Sequence, residues 1–321
     1  MRYVVVYNPV AGQGRATKVT VQVQALLESK GHAVEARASE RAGHIAQMGA
    51  ELAKEMATQP APAGRLLVLG GDGSLREAAA GLLGAGVSDA SLPELGILPF
   101  GTGNVVAREL GLPLEPLKAA SAIEASASVP FDVGWATPDG GAAEPFLAMI
   151  GAGFDASITR RIGAARNTRI GGAIYRRSAG LLYGVSGLAE LASLRPARFS
   201  VVAGDDEITS SACAAVLSNT ETYGRGMSVS PGASPSDGVL DLFVRTSATP
   251  WAGVASLVSA QLRREGPGWV AARARATRAT LLAASSSGNF PWQLDGDPMP
   301  PAARVEVSVA PGALRLVGDL R

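Results

Sequence analysis

The chain has 321 residues, and at roughly 150 residues per domain that length predicts two domains. It is 47% hydrophobic and 18% charged, which supplies apolar material for two cores and excludes a disordered chain. Lys plus Arg number 29 and Asp plus Glu 28, so the net charge is +1 and nothing global attracts nucleic acid as a partner.

In chain order, residues 3–7 are a β-branched and aromatic run that predicts a buried strand. It ends in Asn8-Pro9 and the glycine-bearing loop Ala11-Gly12-Gln13-Gly14. A helix is predicted over 16–30, with Gly31 as its C-terminal cap. A strand over 33–38 and a helix over 43–56 follow, then a Pro/Ala linker over 59–64. A buried strand over 66–69 runs into Gly70-Gly71-Asp72-Gly73-Ser74, and a helix is predicted over 77–83. A fourth strand over 95–98 leads to Pro99-Phe100-Gly101-Thr102-Gly103-Asn104 and a helix ending at Leu110. Strand and helix alternate throughout, which predicts an α/β domain with a parallel sheet over residues 1–128.

From residue 129 to 321 the texture changes to short apolar runs broken by Gly, Pro and Asp, at 146–150, 199–203, 212–217, 239–244 and 305–309. That pattern predicts an antiparallel β-sandwich domain, interrupted by a helical insertion over about 157–194. Cys213 is the single cysteine and His32 and His44 the only histidines, so internal disulfides, Cys-based metal sites and three-His metal sites are excluded. The stretch Met1 to Tyr7 lacks the marks of a signal peptide, and no apolar run is long enough to span a bilayer. The expected location is cytoplasmic.

Three glycine loops thus follow three strands of the first domain. In an open parallel sheet, such loops line one crevice at the C-terminal strand ends. Glycine lets backbone amides converge on anionic oxygens, and a helix N-terminus adds its dipole. A phosphate-bearing ligand is the expectation, without the G-x-x-x-x-G-K-[ST] of a P-loop. An acidic Asp72 inside such a turn faces the cradle and calls for Mg²⁺ between it and a phosphate. The alternative is a helix cap or Asx turn.

The segment Gly70-Gly71-Asp72-Gly73-Ser74-Leu75-Arg76-Glu77 resembles the signature of the diacylglycerol kinase catalytic-domain family, which includes bacterial lipid kinases and sphingosine and ceramide kinases. Five further segments resemble that family in its order: Asn8-Pro9 with Gly12, Pro99 to Asn104 with Ala107-Arg108, Gly151-Ala152-Gly153-Phe154-Asp155-Ala156, Asp237-Gly238-Val239-Leu240-Asp241, and Gln293-Leu294-Asp295-Gly296-Asp297.

The resemblance implies a nucleotide-binding domain like that of NAD kinases and phosphofructokinases, a β-sandwich lipid-binding domain, and an active site between them. It implies that ATP contacts Asn8, Pro9, Gly12, Ser39, Gly71, Asp72, Gly73, Ser74, Glu77 and Thr102. Asp295 or Asp297 would take the proton from a lipid hydroxyl, with Asp72 as a third catalytic carboxylate. Ser234, Asp237 and Val239 resemble a structural Mg²⁺ site, although the same string also makes a turn before a strand.

Three positions depart from the family pattern: Val105 follows Asn104 where many members have Asp, Asp297 replaces Glu, and Ser74 replaces Thr. Diacylglycerol is the expected acceptor, with a sphingoid base, ceramide or another acylglycerol as alternative. A nucleotide-binding regulator without kinase activity is the non-enzymatic alternative. Arg160, Arg161, Arg166, Arg169, Arg176 and Arg177 either dock the chain on the anionic inner membrane surface or form a solvated face. A homodimer is left open.

Overall fold

A computed structural model describes residues 1–58, 64–166, 197–247, 249–262, 264, 272–285 and 288–320. The 59–64 linker, except for Gly64, lies outside them, as does most of the arginine-rich insertion.

The first domain is built from β1 (Arg2–Tyr7), the one-turn α1 (Ala11–Gly14), α2 (Ala16–Ser29), β2 (Ala33–Ala38), α3 (His44–Ala57), β3 (Arg65–Gly70), α4 (Asp72–Leu83), β4 (Glu94–Pro99), α5 (Val105–Glu109) and α6 (Pro116–Ala125). Its strands pair in the order β2-β1-β3-β4, all parallel. The interior of β1 and all of β3 are buried, which is why their sequences are unbroken apolar runs rather than alternating ones. Helix α4 starts at Asp72, not at the expected residue 77, because Gly71 is extended and releases the chain directly into the first turn. The helix α6, which the apolar pattern did not single out, starts with Pro116 at its first position.

The second domain follows with β5 (Ser128–Pro138), β6 (Glu144–Phe146), β7 (Met149–Gly153), α7 (Phe154–Arg166), β8 (Phe199–Ala203), β9 (Asp206–Ala212), β10 (Ala214–Ser218), β11 (Leu240–Arg245), α8 (Pro250–Gln261), β12 (Ala272–Ala276), β13 (Arg278–Ala283), β14 (Trp292–Leu294), β15 (Asp297–Pro298) and β16 (Arg304–Val317). One sheet is the antiparallel order β12-β11-β10-β7-β14-β15. The other, with β5, β16, β13, β8 and β9, is continuous with the parallel sheet of the first domain. A core of Phe146, Phe199, Leu217, Leu281, Phe290 and Trp292 fills the space between the two sheets.

The last strand is the seam. β16 runs antiparallel to β5 for most of its length, then pairs Leu316 in parallel with Leu95 of β4. Leu314, Leu316 and Val317 therefore belong to the same core as β1 and β3. Buried Arg65 closes this junction: its guanidinium binds Glu94 at 2.8 Å and the carbonyl of Ser126 at 2.9 Å, while Ser128 Oγ donates to Glu94 at 2.5 Å. The first domain is thus completed by residues from the far end of the chain.

Candidate active site

The two central glycine loops close on each other. A Cβ at Gly101 would lie 2.6 Å from Gly71 Cα, so the β3–α4 and β4–α5 turns touch backbone to backbone. Asn104 closes its own turn, with Oδ1 accepting from Gly101 N and Nδ2 donating to Gly101 O, both at 3.0 Å, from a left-handed φ of 48°. The first loop joins them through Gly12, whose φ of 57° and contact with the Phe100 ring leave no room for a side chain. Asn8 turns that loop by accepting Val10 N at 3.1 Å, with Pro9 following it. Ser39 is buried beside it at the end of β2, its amide donating to Tyr7 O at 2.8 Å. Thr102 is exposed on the rim.

Asp72 does not face outward. It is 9% exposed, and its Oδ1 accepts Val106 N at 3.1 Å, across from α4 to the start of α5. In this position the carboxylate ties the two loops together. Burial raises its pKa, and the Val105 and Val106 amides pull it back. Glu77 is likewise committed in part, its Oε1 accepting Ile45 N at 3.1 Å in the first turn of α3.

What faces the cleft is the N-terminus of α4 and two carboxylates from the second domain, Glu144 and Asp297. Leu294-Asp295-Gly296-Asp297 is a two-residue hairpin turn between β14 and β15, with φ of 50° at Asp295 and 87° at Gly296. Positive φ at both central positions is the type I′ turn that Asp-Gly favours. Asp295 points inward and spends both oxygens on backbone amides: Leu147 N at 2.9 Å, Ala148 N at 2.8 Å and Met149 N at 2.9 Å. Asp297 points outward, its side chain 52% exposed, and meets Arg76 Nη2 at 3.1 Å. A Cβ at Gly73 would sit 2.6 Å from Asp297 Oδ2, so a glycine is what admits this carboxylate to the first turn of α4. Gly73, Ser74, Arg76, Glu77, Glu144 and Asp297 line one cleft of about 500 Å³.

Gly73→Ala tests this contact. The colliding atom is the end of a half-exposed side chain, so thermal stability is expected to stay close to that of the parent. The carboxylate has to move, and turnover is expected to fall roughly a hundredfold, the usual cost of a misplacement of about 1 Å. Steady-state kinetics beside a melting curve check both parts.

Two carboxylates behind the hairpin were not legible as a pair. Burial pushes both Asp295 and Asp155 up to about 6, against the Leu147 and Met149 amides for the first and Gln293 for the second. A raised value means the folded state binds more protons than the unfolded state between about pH 4 and 6. Stability from these groups is complete below that window and is lost as pH rises through it. Urea unfolding across pH 4–7 is expected to show this decline, and Asp295→Asn to flatten it.

The proposed metal loop does not fit a cation as placed. Asp237 forms a short ion pair with Arg275, which also approaches Asp241 at 3.3 Å, so this carboxylate is already matched by a guanidinium. Ser234 Oγ bonds Ser236 Oγ at 3.2 Å, and Val239 N donates to Asp237 Oδ1 at 3.2 Å as in a turn. Among the described residues no group of three or more His, Cys, Asp or Glu side chains is gathered to hold a metal ion. The phosphate side fits better: the amides of the first turn of the twelve-residue α4, together with Arg76, suit an anion.

The fold and cleft define a two-domain phosphotransferase of the lipid kinase class. The diacylglycerol kinase catalytic domain matches residues 2–136, and the YegS C-terminal NAD kinase beta sandwich-like domain matches residues 148–318. A diacylglycerol kinase of Mycobacterium tuberculosis is 32% identical over 242 residues, 75% of this chain and 72% of that protein. A Pseudomonas aeruginosa protein named "Probable lipid kinase YegS-like" is 33% identical over 251 residues, 78% of this chain and 75% of its own. A crystal structure of a diacylglycerol kinase from Bacillus anthracis superposes with a TM-score of 0.71 at 18% identity, covering 99% of this chain and 97% of that one, and shares the fold. The chain belongs to the diacylglycerol kinase catalytic-domain family of lipid kinases. Among the described residues no helix is long and apolar enough to cross a membrane.

Proposed function

We propose that this kinase transfers the γ-phosphoryl group of ATP to the free hydroxyl of diacylglycerol, giving phosphatidic acid, while in contact with the inner membrane surface. The observation that carries the reading is the half-exposed carboxylate of Asp297, held against Gly73 and Arg76 at the open end of α4. In this reading Asp297 is the base: it accepts the proton of the lipid hydroxyl as that oxygen bonds to the γ-phosphorus and ADP leaves. The amides of Gly73 and Ser74 and the guanidinium of Arg76 bind phosphate oxygens. The loops at Asn8, Gly12, Ser39 and Thr102 hold the rest of the nucleotide. Mg²⁺ bound with the nucleotide neutralises charge on the transferring phosphates, and few protein carboxylates are needed where the phosphates supply most of its ligands.

The test is transfer of labelled γ-phosphate from ATP, with Mg²⁺, in mixed micelles holding diacylglycerol, monoacylglycerol, sphingosine or ceramide. Labelled phosphatidic acid from the diacylglycerol arm alone is the expected result. Label in the sphingosine or ceramide arm instead would move the acceptor to the sphingoid class. That second reading is favoured by the apolar Val105, buried at 6% exposure, where many relatives place a carboxylate. No transfer in any arm, with ATP bound, would overturn the kinase reading for these lipids.

A further inference from the structure

The hairpin that carries Asp297 is weak on its own. β14 has three residues and β15 two, and β15 is the outer edge of its sheet. β14 is held on its other side by β7, but the turn and β15 lie beyond that pairing. A general base must be held within about 0.5 Å of its working position. Something beyond the ladder has to fix this turn.

Two buried carboxylates reach it. Asp295 pins the turn to the backbone of residues 147–149, as described above. The second connection is longer. Gln293 is 1% exposed, and its Oε1 accepts Gly296 N, inside the turn, at 2.6 Å. Its Nε2 donates to Asp155 Oδ2 at 3.0 Å. The other oxygen of Asp155 accepts a short hydrogen bond from the Tyr223 hydroxyl. Gly151 pairs with Gln293 across the sheet, and a Cβ there would collide with Asp155 Oδ2 and lie 2.6 Å from Gln293 Nε2. A glycine on β7 therefore leaves the space in which these two side chains meet.

The direction of donors and acceptors matters. A glutamine can offer its oxygen to Gly296 only if its amide nitrogen finds an acceptor, and the buried carboxylate is that acceptor. Without it the amide group is free to flip and present N–H to N–H at Gly296. We propose that Asp155 is a positioning residue for phosphoryl transfer: through Gln293 and the Gly296 amide it sets the turn that aims Asp297 at the α4 N-terminus. The inference rests on the reading of Asp297 as the base.

The experiment uses the full chain, with four variants beside the parent: Gln293→Leu, Asp155→Leu, the double variant Asp155→Asn with Gln293→Glu, and Asp297→Asn. Gln293→Leu and Asp155→Leu are expected to lower kcat roughly tenfold or more, with KM for ATP within about twofold. Exchange of the Gly296 amide proton is expected to accelerate in both. In the double variant the hydrogen-bond order is reversed but complete: the new asparagine donates to the new glutamate, whose other oxygen accepts Gly296 N. Its kcat and Gly296 protection are expected to return to within about threefold of the parent, a rescue that a purely structural burial of charge would not give. Two results would overturn the inference. One is Gln293→Leu turning over within twofold of the parent; the other is a double variant no faster than Asp155→Leu while equally well folded. If Gln293→Leu does not fold, the double variant decides alone. Asp297→Asn separates the two claims: full activity there removes the base assignment, whereas an inactive Asp297→Asn beside a normal Gln293→Leu removes only the positioning role.

Discussion

Asp297→Asn is expected to lower kcat by about 10²–10⁴, the usual contribution of a positioned general base. Neither ATP affinity nor thermal stability should follow it down. The side chain is half exposed, and its ion pair with Arg76 is of the kind that contributes little to folding. The asparagine keeps the shape and loses the lone pair that takes the proton. Asp297→Glu restores a carboxylate that is one methylene longer. The hairpin end is open enough to absorb that length, so activity is expected within about tenfold of the parent. Single-turnover transfer from labelled ATP, with nucleotide binding measured by titration, checks both. An Asp297→Asn that kept full activity would take the base role from Asp297, and it would not pass to Asp295, which has no oxygen free of backbone amides.

Asp72→Ala is expected to have the other large effect, and it should reach folding as well as turnover. The carboxylate is buried and holds Val106 N. Removing it leaves a buried amide without its acceptor, at a cost of about 1–3 kcal/mol. A melting point lowered by roughly 5 °C is the corresponding expectation. The Gly71 and Gly101 loops that it ties together form the floor of the phosphate side, so kcat should collapse too. Asp72→Asn separates this from a direct role with phosphate or metal. The amide oxygen can still accept Val106 N, and burial already disfavours the charged form of Asp72. Stability close to the parent with most of the activity retained is expected. A stable Asp72→Asn with no turnover would return Asp72 to the reacting centre.

The parallel sheet of the first domain was legible because its signals are local. The strands of residues 2–7 and 65–70 are short apolar runs, the first followed by Asn8-Pro9 and the second ending at Gly70, and those turn residues bound them as strands. The three glycine loops and the late Asp-Gly turn could be read the same way, since positive φ and close backbone approach act on single residues. The direction of each acidic side chain could not. Asp295 and Asp297 stand two residues apart in one turn, yet one is turned onto residues 147–149 and the other meets Arg76, 221 positions away in sequence. Asp72 is an acid among glycines, with no visible partner in its own segment. Its partner is Val106, supplied by the neighbouring loop. Asp155 and Gln293 are 138 positions apart, with no shared motif to announce them.

Composition, period and turn chemistry therefore determined the two-domain plan, the order of elements and the loops that face the cleft. They act through the dihedrals and burial of each residue with its near neighbours. Tertiary structure decided which carboxylates are buried acceptors and that Asp297 stays half exposed beside Arg76. It also decided that β16 returns from the far end of the chain to complete the first core. A buried charge takes its state from the groups packed around it, and those groups are brought together only by the folded chain.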